Sequence, residues 1–346
     1  MNAPASSLVD RWKDLTAAEP RLRIRDAAKR LGVSEAELLG TGSDGQITRL
    51  QPRWKDLIEA IATAGDVMSL VRNEYVVIEK TGPFETLEFD GPVGVTLGDY
   101  MDLRIFWSQW HVGYAVVKET PDRVLRSFQV FDKHGDAVIK IYLKKEEQIE
   151  AFNKIVADFT ATDLEEPTYQ PVPPARLPQP APEGFDEAKW KEEWLGLQDT
   201  HDFYPMLMKH RIDRTTSLRY APEGHAWQVK PESLQYILEA ARDRNMDIMV
   251  FVGSRGVIEI HTGPVKNIKE LGEYMNVLDP DFNLHFIQKG IAEAWVVRKP
   301  TVDGIVTAVE FYQEDGKDIA MFFGRRKPGE DELESWRELV KELPTV

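Results

Sequence analysis

The chain has 346 residues, a formal net charge of −15 from 43 Lys and Arg against 58 Asp and Glu, and no cysteine. Its length suits two domains, and the missing thiols exclude disulfides, iron–sulfur clusters, cysteine nucleophiles and cysteine-bound metal. The acidic balance disfavours a phosphate-backbone partner, and no apolar run nears the ~20 residues that cross a bilayer.

The start, MNAPASSLVDRW, has neither the basic region nor the apolar core of an export signal, so a cytoplasmic protein is expected. Helical periodicity follows in RWKDLTAAEPRLRIRDAAKRL and again in WKDLIEAIATAG. Within the first of these begins AAKRLGVSEAELLG, residues 27–40, which spaces Ala, Gly-Val-Ser and Leu as a helix-turn-helix does. The match is short and the chain is acidic. It is expected to be a scaffold, with a DNA-binding regulator as the minor alternative and no nucleic-acid partner assigned. Next come YVVIEK, YAVVKE, SFQVFD and DAVIKIYLKK, β-branched or alternating and punctuated by TGP, TPD and KHGD. Such short turns imply antiparallel strands.

Seven prolines between Pro167 and Pro182 then mark an extended linker, because proline fixes φ and lacks a donor. Beyond it a helix is expected from Asp186 to about Arg211. Trp190, Trp194, Leu197, His201, Tyr204 and Met208 fall on it at spacings of four, three, four, three and four, which makes one apolar stripe. Pro205 should kink this helix at the carbonyl of His201. An imidazole on such a stripe reads first as a buried side chain satisfied by a carbonyl, and second as a ligand. The strand-like segments GVIEIHT, AWVVRK, TAVEFY and DIAMFFGRR complete the chain.

These later segments repeat the earlier ones. Met68, Val71, Val76, Thr81, Gly82 and Pro83 recur 181 positions on as Met249, Val252, Val257, Thr262, Gly263 and Pro264, and Leu103, Lys118 and Gly135 as Leu284, Lys299 and Gly316. Duplication of an α+β unit follows, with leading helices and a large antiparallel sheet in each half. The first repeat is placed at 1–162, the linker at 163–185 and the second repeat at 186–346. Residues that break the symmetry then mark a single site. At this offset His201 matches Pro20, Arg104 matches His285 and Arg214 matches Val33, whereas Lys299 is shared with Lys118. The cations Arg104, Arg214, Lys299, Arg325, Arg326 and Lys327 each read alone as solvated surface charges. His134, His210 and His225 read as exposed and inert, His111, His261 and His285 lie in or beside expected strands with no second ligand at metal spacing, and no HExxH, GxSxG or phosphate-loop pattern occurs.

DTHDFYPMLMKHRIDR, DLRIFWSQWHVGYAVV, VRNEYVVIEKTGPF, HTGPVKNIKELGEYMNVLD, WVVRKPT and FFGRRKPGEDE together resemble the bacterial cytoplasmic hemin-transport and hemin-degrading proteins of the HemS, ChuS and HmuS type. The resemblance covers nearly the whole chain. It implies a haem-binding protein of iron acquisition that degrades haem by oxidative ring opening or, alternatively, carries it to a separate haem oxygenase. An importer and a reductase are further implied partners. It makes His201 the proximal iron ligand and Arg104 the distal residue, with Phe106 on the same side. Arg214, Lys299 and Arg326 would meet the propionates or the polar rim. Pro205 departs from the family's pattern. A flat apolar plate with two carboxylates does need an apolar wall, an imidazole and cations at its edge.

Overall fold

The computed structural model describes residues 7–20, 22–326 and 329–346, so the first six residues, Arg21, Lys327 and Pro328 lie outside the described residues. The chain divides into two units, one of residues to Arg72, Glu79–Pro173 and Ser254–Glu259, the other of Asn73–Ile78, Pro174–Gly253 and Ile260–Val346. In chain order the first unit carries α1 (Leu8–Ala18), α2 (Ile24–Leu31), α3 (Glu35–Gly40), β1 (Gln46–Arg49), α4 (Trp54–Ala62) and β2 (Val67–Arg72). After β3 (Val76–Gly82), which the division crosses, come β4 (Thr86–Glu88), β5 (Val93–Leu97), β6 (Asp102–Phe106), β7 (Val112–Glu119), β8 (Val124–Phe131), β9 (Ala137–Leu143) and α5 (Ile149–Phe159). Within this unit β1, β7, β8, β9 and β2 pair in that order, all antiparallel, and β4, β5 and β6 form a second antiparallel set.

The second unit repeats the plan. Its helices are α6 (Glu187–Leu195), α7 (Phe203–His210), α8 (Arg214–Leu218), α9 (Ser233–Asp243) and α10 (Glu334–Lys341). Strands β10 (Ala226–Val229), β16 (Glu293–Thr301), β17 (Gly304–Tyr312), β18 (Asp318–Gly324) and β11 (Ile248–Gly253) pair in that order. β13 (Ile268–Leu271), β14 (Tyr274–Leu278) and β15 (Phe282–Ile287) form the smaller set, and β12 (Val257–Gly263) crosses the division. The fold is therefore α+β and duplicated, with antiparallel sheets. Even the irregularities repeat, because register shifts at Val130/Phe131 and Phe311/Tyr312 are 181 residues apart.

One expectation needs correction. The 181-residue offset holds from β2 and β11 onwards, as Val67 to Ile248 and Val76 to Val257 show, but not for the elements before them, where ladder partners match Arg49 on β1 to Gln228 on β10. Ile24 to Phe203, Glu35 to Arg214 and Trp54 to Ser233 are each 179 apart, and the left-handed residues that end α2 and α7, Gly32 and Arg211, keep the same spacing. α4 has nine residues and α9 eleven, which accounts for the difference. A strand cannot absorb an insertion without turning its side chains to the wrong face, whereas a helix end can. Arg214 therefore corresponds to Glu35 rather than Val33, and His201 to Leu22 rather than Pro20. Arg214 still has no cationic counterpart, nor His201 a ligating one.

The helix-turn-helix spacing does form two helices and a turn. Gly32 supplies φ +70°, and Ser34 with Glu37 makes a capping box on α3. α3 is only six residues long and buries Glu35, Ala36, Leu38 and Leu39, with Glu35 ion-paired to buried Lys140. Of the extended linker, one stretch is tied to the first unit, through His111 and His134 on the carbonyls of Thr168 and Gln170; the side chain of His134, like that of His210 on Glu193, is buried rather than exposed. Another is tied to the second, through Gln179 on Asp213. Among the described residues no helix is long and apolar enough to cross a membrane.

Candidate functional site

The stretch expected as one kinked helix is two helices and a short 3-10 turn. α6 stops at Gly196, and Asp199 opens a 3-10 turn over Thr200–Asp202 that leads into α7. Pro205 is the third residue of α7. In a first turn the backbone N–H has no intrahelical acceptor, so proline there removes no hydrogen bond and imposes no kink. Trp190 and Trp194 are fully buried, and Phe203 packs edge-on against Trp194 with ring centroids 4.8 Å apart. The Trp194 indole donates to the carbonyl of Arg298 on β16 at 3.0 Å, and Val302 N–H donates to the carbonyl of Gln198 at 2.9 Å. These contacts fasten both ends of the break to the sheet.

The apolar stripe divides at the same place. Trp190, Trp194 and Leu197 face the core, while His201, Tyr204 and Met208 face solvent. The His201 side chain is 90% exposed, with Tyr204 66% and Met208 62% exposed, so the imidazole is not the buried side chain that the stripe suggested. Spacings of three and four put these three on one side of the turn and α7, an apolar face turned outward. Asp199 fixes the ring. Its Oδ1 accepts from the His201 backbone N–H at 2.8 Å and lies 2.6 Å from Nδ1. A carboxylate only accepts, so Nδ1 carries the proton of this bond, and in the neutral ring the lone pair is left on Nε2, aimed away from Asp199. The same backbone bond, with the nearby His201 ring and Arg326, holds the Asp199 carboxyl below its usual range against a modest opposing effect of burial.

Two of the expected cations converge beneath this face. Arg214 opens α8 and donates to Glu310 at 2.6 and 3.0 Å and to the Tyr312 hydroxyl at 2.8 Å. Lys299 Nζ lies 3.2 Å from the same carboxylate and 4.5 Å from the centre of the Phe203 ring. Burial alone would raise Glu310, but the two cations outweigh it and hold the carboxyl at about 2. Burial pushes the Lys299 amine down to about 8, with Glu310 restoring only part of the loss and Arg214 adding to it. Two cations against one carboxylate leave the cluster with a net positive charge next to Phe203. Arg326 is 3.5 Å from Asp303 and lines a hollow of about 540 Å³ with Arg244, Arg325 and Glu330.

Arg104 and Phe106 belong to the first unit. Strand alternation on β6 puts Asp102, Arg104 and Phe106 on one partly exposed face, with Leu103 and Ile105 buried behind. Arg104 is ion-paired with Asp102 and also donates to the carbonyl of Leu103 at 3.2 Å. Burial raises the Asp102 carboxyl, and Arg104 offsets only part of that rise. Among the described residues no group of three or more His, Asp or Glu side chains could hold a bare metal ion.

Sequence reasoning missed Asp199, Glu310, Tyr312 and Phe203. The first two left a signal. Asp199 stands at N-cap spacing before His201 in DTHD, and Glu310 is the only charge inside the apolar strand TAVEFY.

The model of the haemin-degrading HemS/ChuX domain matches residues 32–159 and again 211–343. The hemin transport protein HmuS of Yersinia pestis is 34% identical, covering 99% of this chain and 98% of its own. Among solved structures, holo-PhuS, a heme-binding protein from Pseudomonas aeruginosa, superposes with a TM-score of 0.92 at 40% identity over the full length of both chains. ChuS, an E. coli heme oxygenase, does so with 0.87 at 31% identity over 98% of this chain and 99% of its own.

Proposed function

Because the chain belongs to the haemin-degrading HemS/ChuX family, we propose that it binds haem through Nε2 of His201 and serves iron acquisition in the cytoplasm. The observation that carries this reading is the exposed His201, with its Nδ1 held by Asp199 and its Nε2 free on a face completed by Tyr204 and Met208. A soluble chain gains nothing by turning two large apolar side chains and an oriented imidazole to water, unless a flat apolar ligand covers them.

Arg214 and Lys299, net positive with Glu310, supply the charge that draws haem carboxylates towards the second unit, and Arg326 serves the rim. Arg104, with Phe106 beside it on β6, is assigned the distal side, where a guanidinium remains a proton-bearing donor at any physiological pH. Bound haem brings an iron that activates O2 once reduced. The protein's own contribution is to fix the ring nitrogen, exclude water with Tyr204 and Met208, and offer hydrogen bonds from Arg104. Oxidative opening of the ring with release of iron is the reading favoured by the heme oxygenase ChuS. A carrier that passes haem to a separate oxygenase is the second reading, favoured by the higher identity to the heme-binding protein PhuS.

Titration of the full chain with hemin should give a saturating Soret band at one equivalent, and His201→Ala should lose or shift it. A variant that titrates like the wild type removes His201 as the ligand. Loss of the band under ascorbate with catalase present marks degradation. A band that persists, then moves to an added haem oxygenase, marks the carrier.

A further inference from the structure

The two units differ at one place that the haem reading does not use. In the first, α3, β1 and the start of the proline-rich linker enclose a hollow of about 460 Å³, within the range of small-molecule sites. Leu8, Ala36, Ile47 and Pro167 give it apolar walls, and Arg49, Tyr114 and Tyr169 bring polar atoms.

The second unit fills the corresponding position. By the 179-residue offset of the helices Gly40 and Thr41 correspond to Arg219 and Tyr220, and by the 181-residue offset of the strands Tyr114 corresponds to Trp295. The Arg219 guanidinium lies 5.3 Å over the Trp295 ring and bonds Glu293 at 2.6 Å, while Tyr220 packs on Phe185 at 5.0 Å. Small residues in the first unit leave that space open. A side chain starting at Gly40 would meet the Tyr114 hydroxyl at 3.4 Å and then enter the hollow.

Its polar groups define what would fit. Arg49 Nε is buried without a hydrogen-bond partner, although Nη1 of the same guanidinium donates to the carbonyl of Glu165. Among the described residues no carboxylate lies within ion-pair distance of Arg49. Glu37 and Glu166 also line the hollow, but both are exposed to solvent screening, and Glu37 is engaged by the Ser34 backbone N–H at 2.8 Å. The two phenol oxygens lie 3.4 Å apart. Among the described residues no histidine or methionine lines the space, and burial raises both phenols, so neither offers iron a phenolate. We propose that this hollow binds a small molecule with a flat apolar body and one carboxylate, the carboxylate meeting Arg49 Nε and the body lying between Ile47 and the two tyrosines.

The site stands apart from the haem reading and is tested separately. With 4-hydroxybenzoate as the probe and the full chain in the calorimeter, saturable binding with a Kd on the order of 1 mM is expected from a ligand of that size. Arg49→Gln, which installs the residue of the second unit, should weaken it at least tenfold. Gly40→Arg with Thr41→Tyr, which fills the hollow as the second unit does, should abolish it, and His201→Ala should leave it unchanged. Absence of saturation up to about 10 mM overturns the proposal, as does wild-type affinity in Arg49→Gln, or loss of binding in His201→Ala.

Discussion

Asp199 and Glu310 act in opposite settings. Asp199 is a half-exposed carboxylate whose work is orientation, since its bond to Nδ1 decides which nitrogen of His201 is free. Asp199→Asn keeps the shape but can present an N–H to the ring, which favours the wrong tautomer. Loss of such a partner costs about 10–100-fold in metal affinity. Hemin titration of this variant should therefore show a weakened ligand bond with unchanged thermal stability. Equal affinity would mean that the ring is held by its own helix turn alone. Glu310 is fully buried between Arg214 and Lys299. Glu310→Gln strands the buried Lys299 beside the partly exposed Arg214, and removing one partner of a buried pair costs on the order of 3–5 kcal/mol. A denaturant midpoint that moves by much less would place water around the cluster.

At the level of elements, Pro205 separates two accounts of the segment that carries His201. If the residue lay inside a long helix, replacing it by alanine would relieve about 3 kcal/mol and straighten the chain. In the first turn of α7, Pro205→Ala should change stability by less than about 1 kcal/mol and leave the Soret titration intact. A gain near the larger figure would restore the single kinked helix. This segment also shows what was legible in the sequence. Strand segments, turns and the duplication were readable because a period of two and a fixed register tolerate no slippage. The split between Gly196 and Asp199 was not, because Trp190, Trp194 and Leu197 continue at helical spacing into His201, Tyr204 and Met208 although the two triplets face opposite environments. Periodicity reports that residues share a face and says nothing of what covers it. The cations Arg214 and Lys299 were legible as a set, but Glu310, which joins them, lies some hundred residues from Arg214 and meets it only through folding.

For the molecule as a whole, two buried carboxyls oppose each other in pH. Glu310 in the second unit has its folded pKa depressed to about 2 from 4.5, so its stabilisation is complete above 4.5 and is lost as pH falls towards 2. The loss amounts to about 3 kcal/mol. Glu259 belongs to the first unit, is fully buried, and has one oxygen bonded to Ser69 and the other without a partner. Burial raises it to about 8, with Ser69 and Lys80 offsetting only part of that. A raised carboxyl binds a proton more tightly in the folded state, so stability falls as pH climbs from 4.5 to 8, by about 5 kcal/mol. Lys299, lowered to about 8 from 10.5, then returns some stability between those values, because there the unfolded chain holds the extra proton. Urea midpoints measured from pH 3 to 10 should therefore peak near the ordinary carboxylate pKa and decline towards pH 8, a slope opposite to that of a protein whose carboxylates are all paired. Glu259→Gln mimics the protonated side chain at every pH. It should match the wild type near pH 4.5, exceed its stability at pH 8 and flatten the decline between them. An unchanged decline in that variant would mean that the slope arises elsewhere, and that Glu259 is ionised inside the fold.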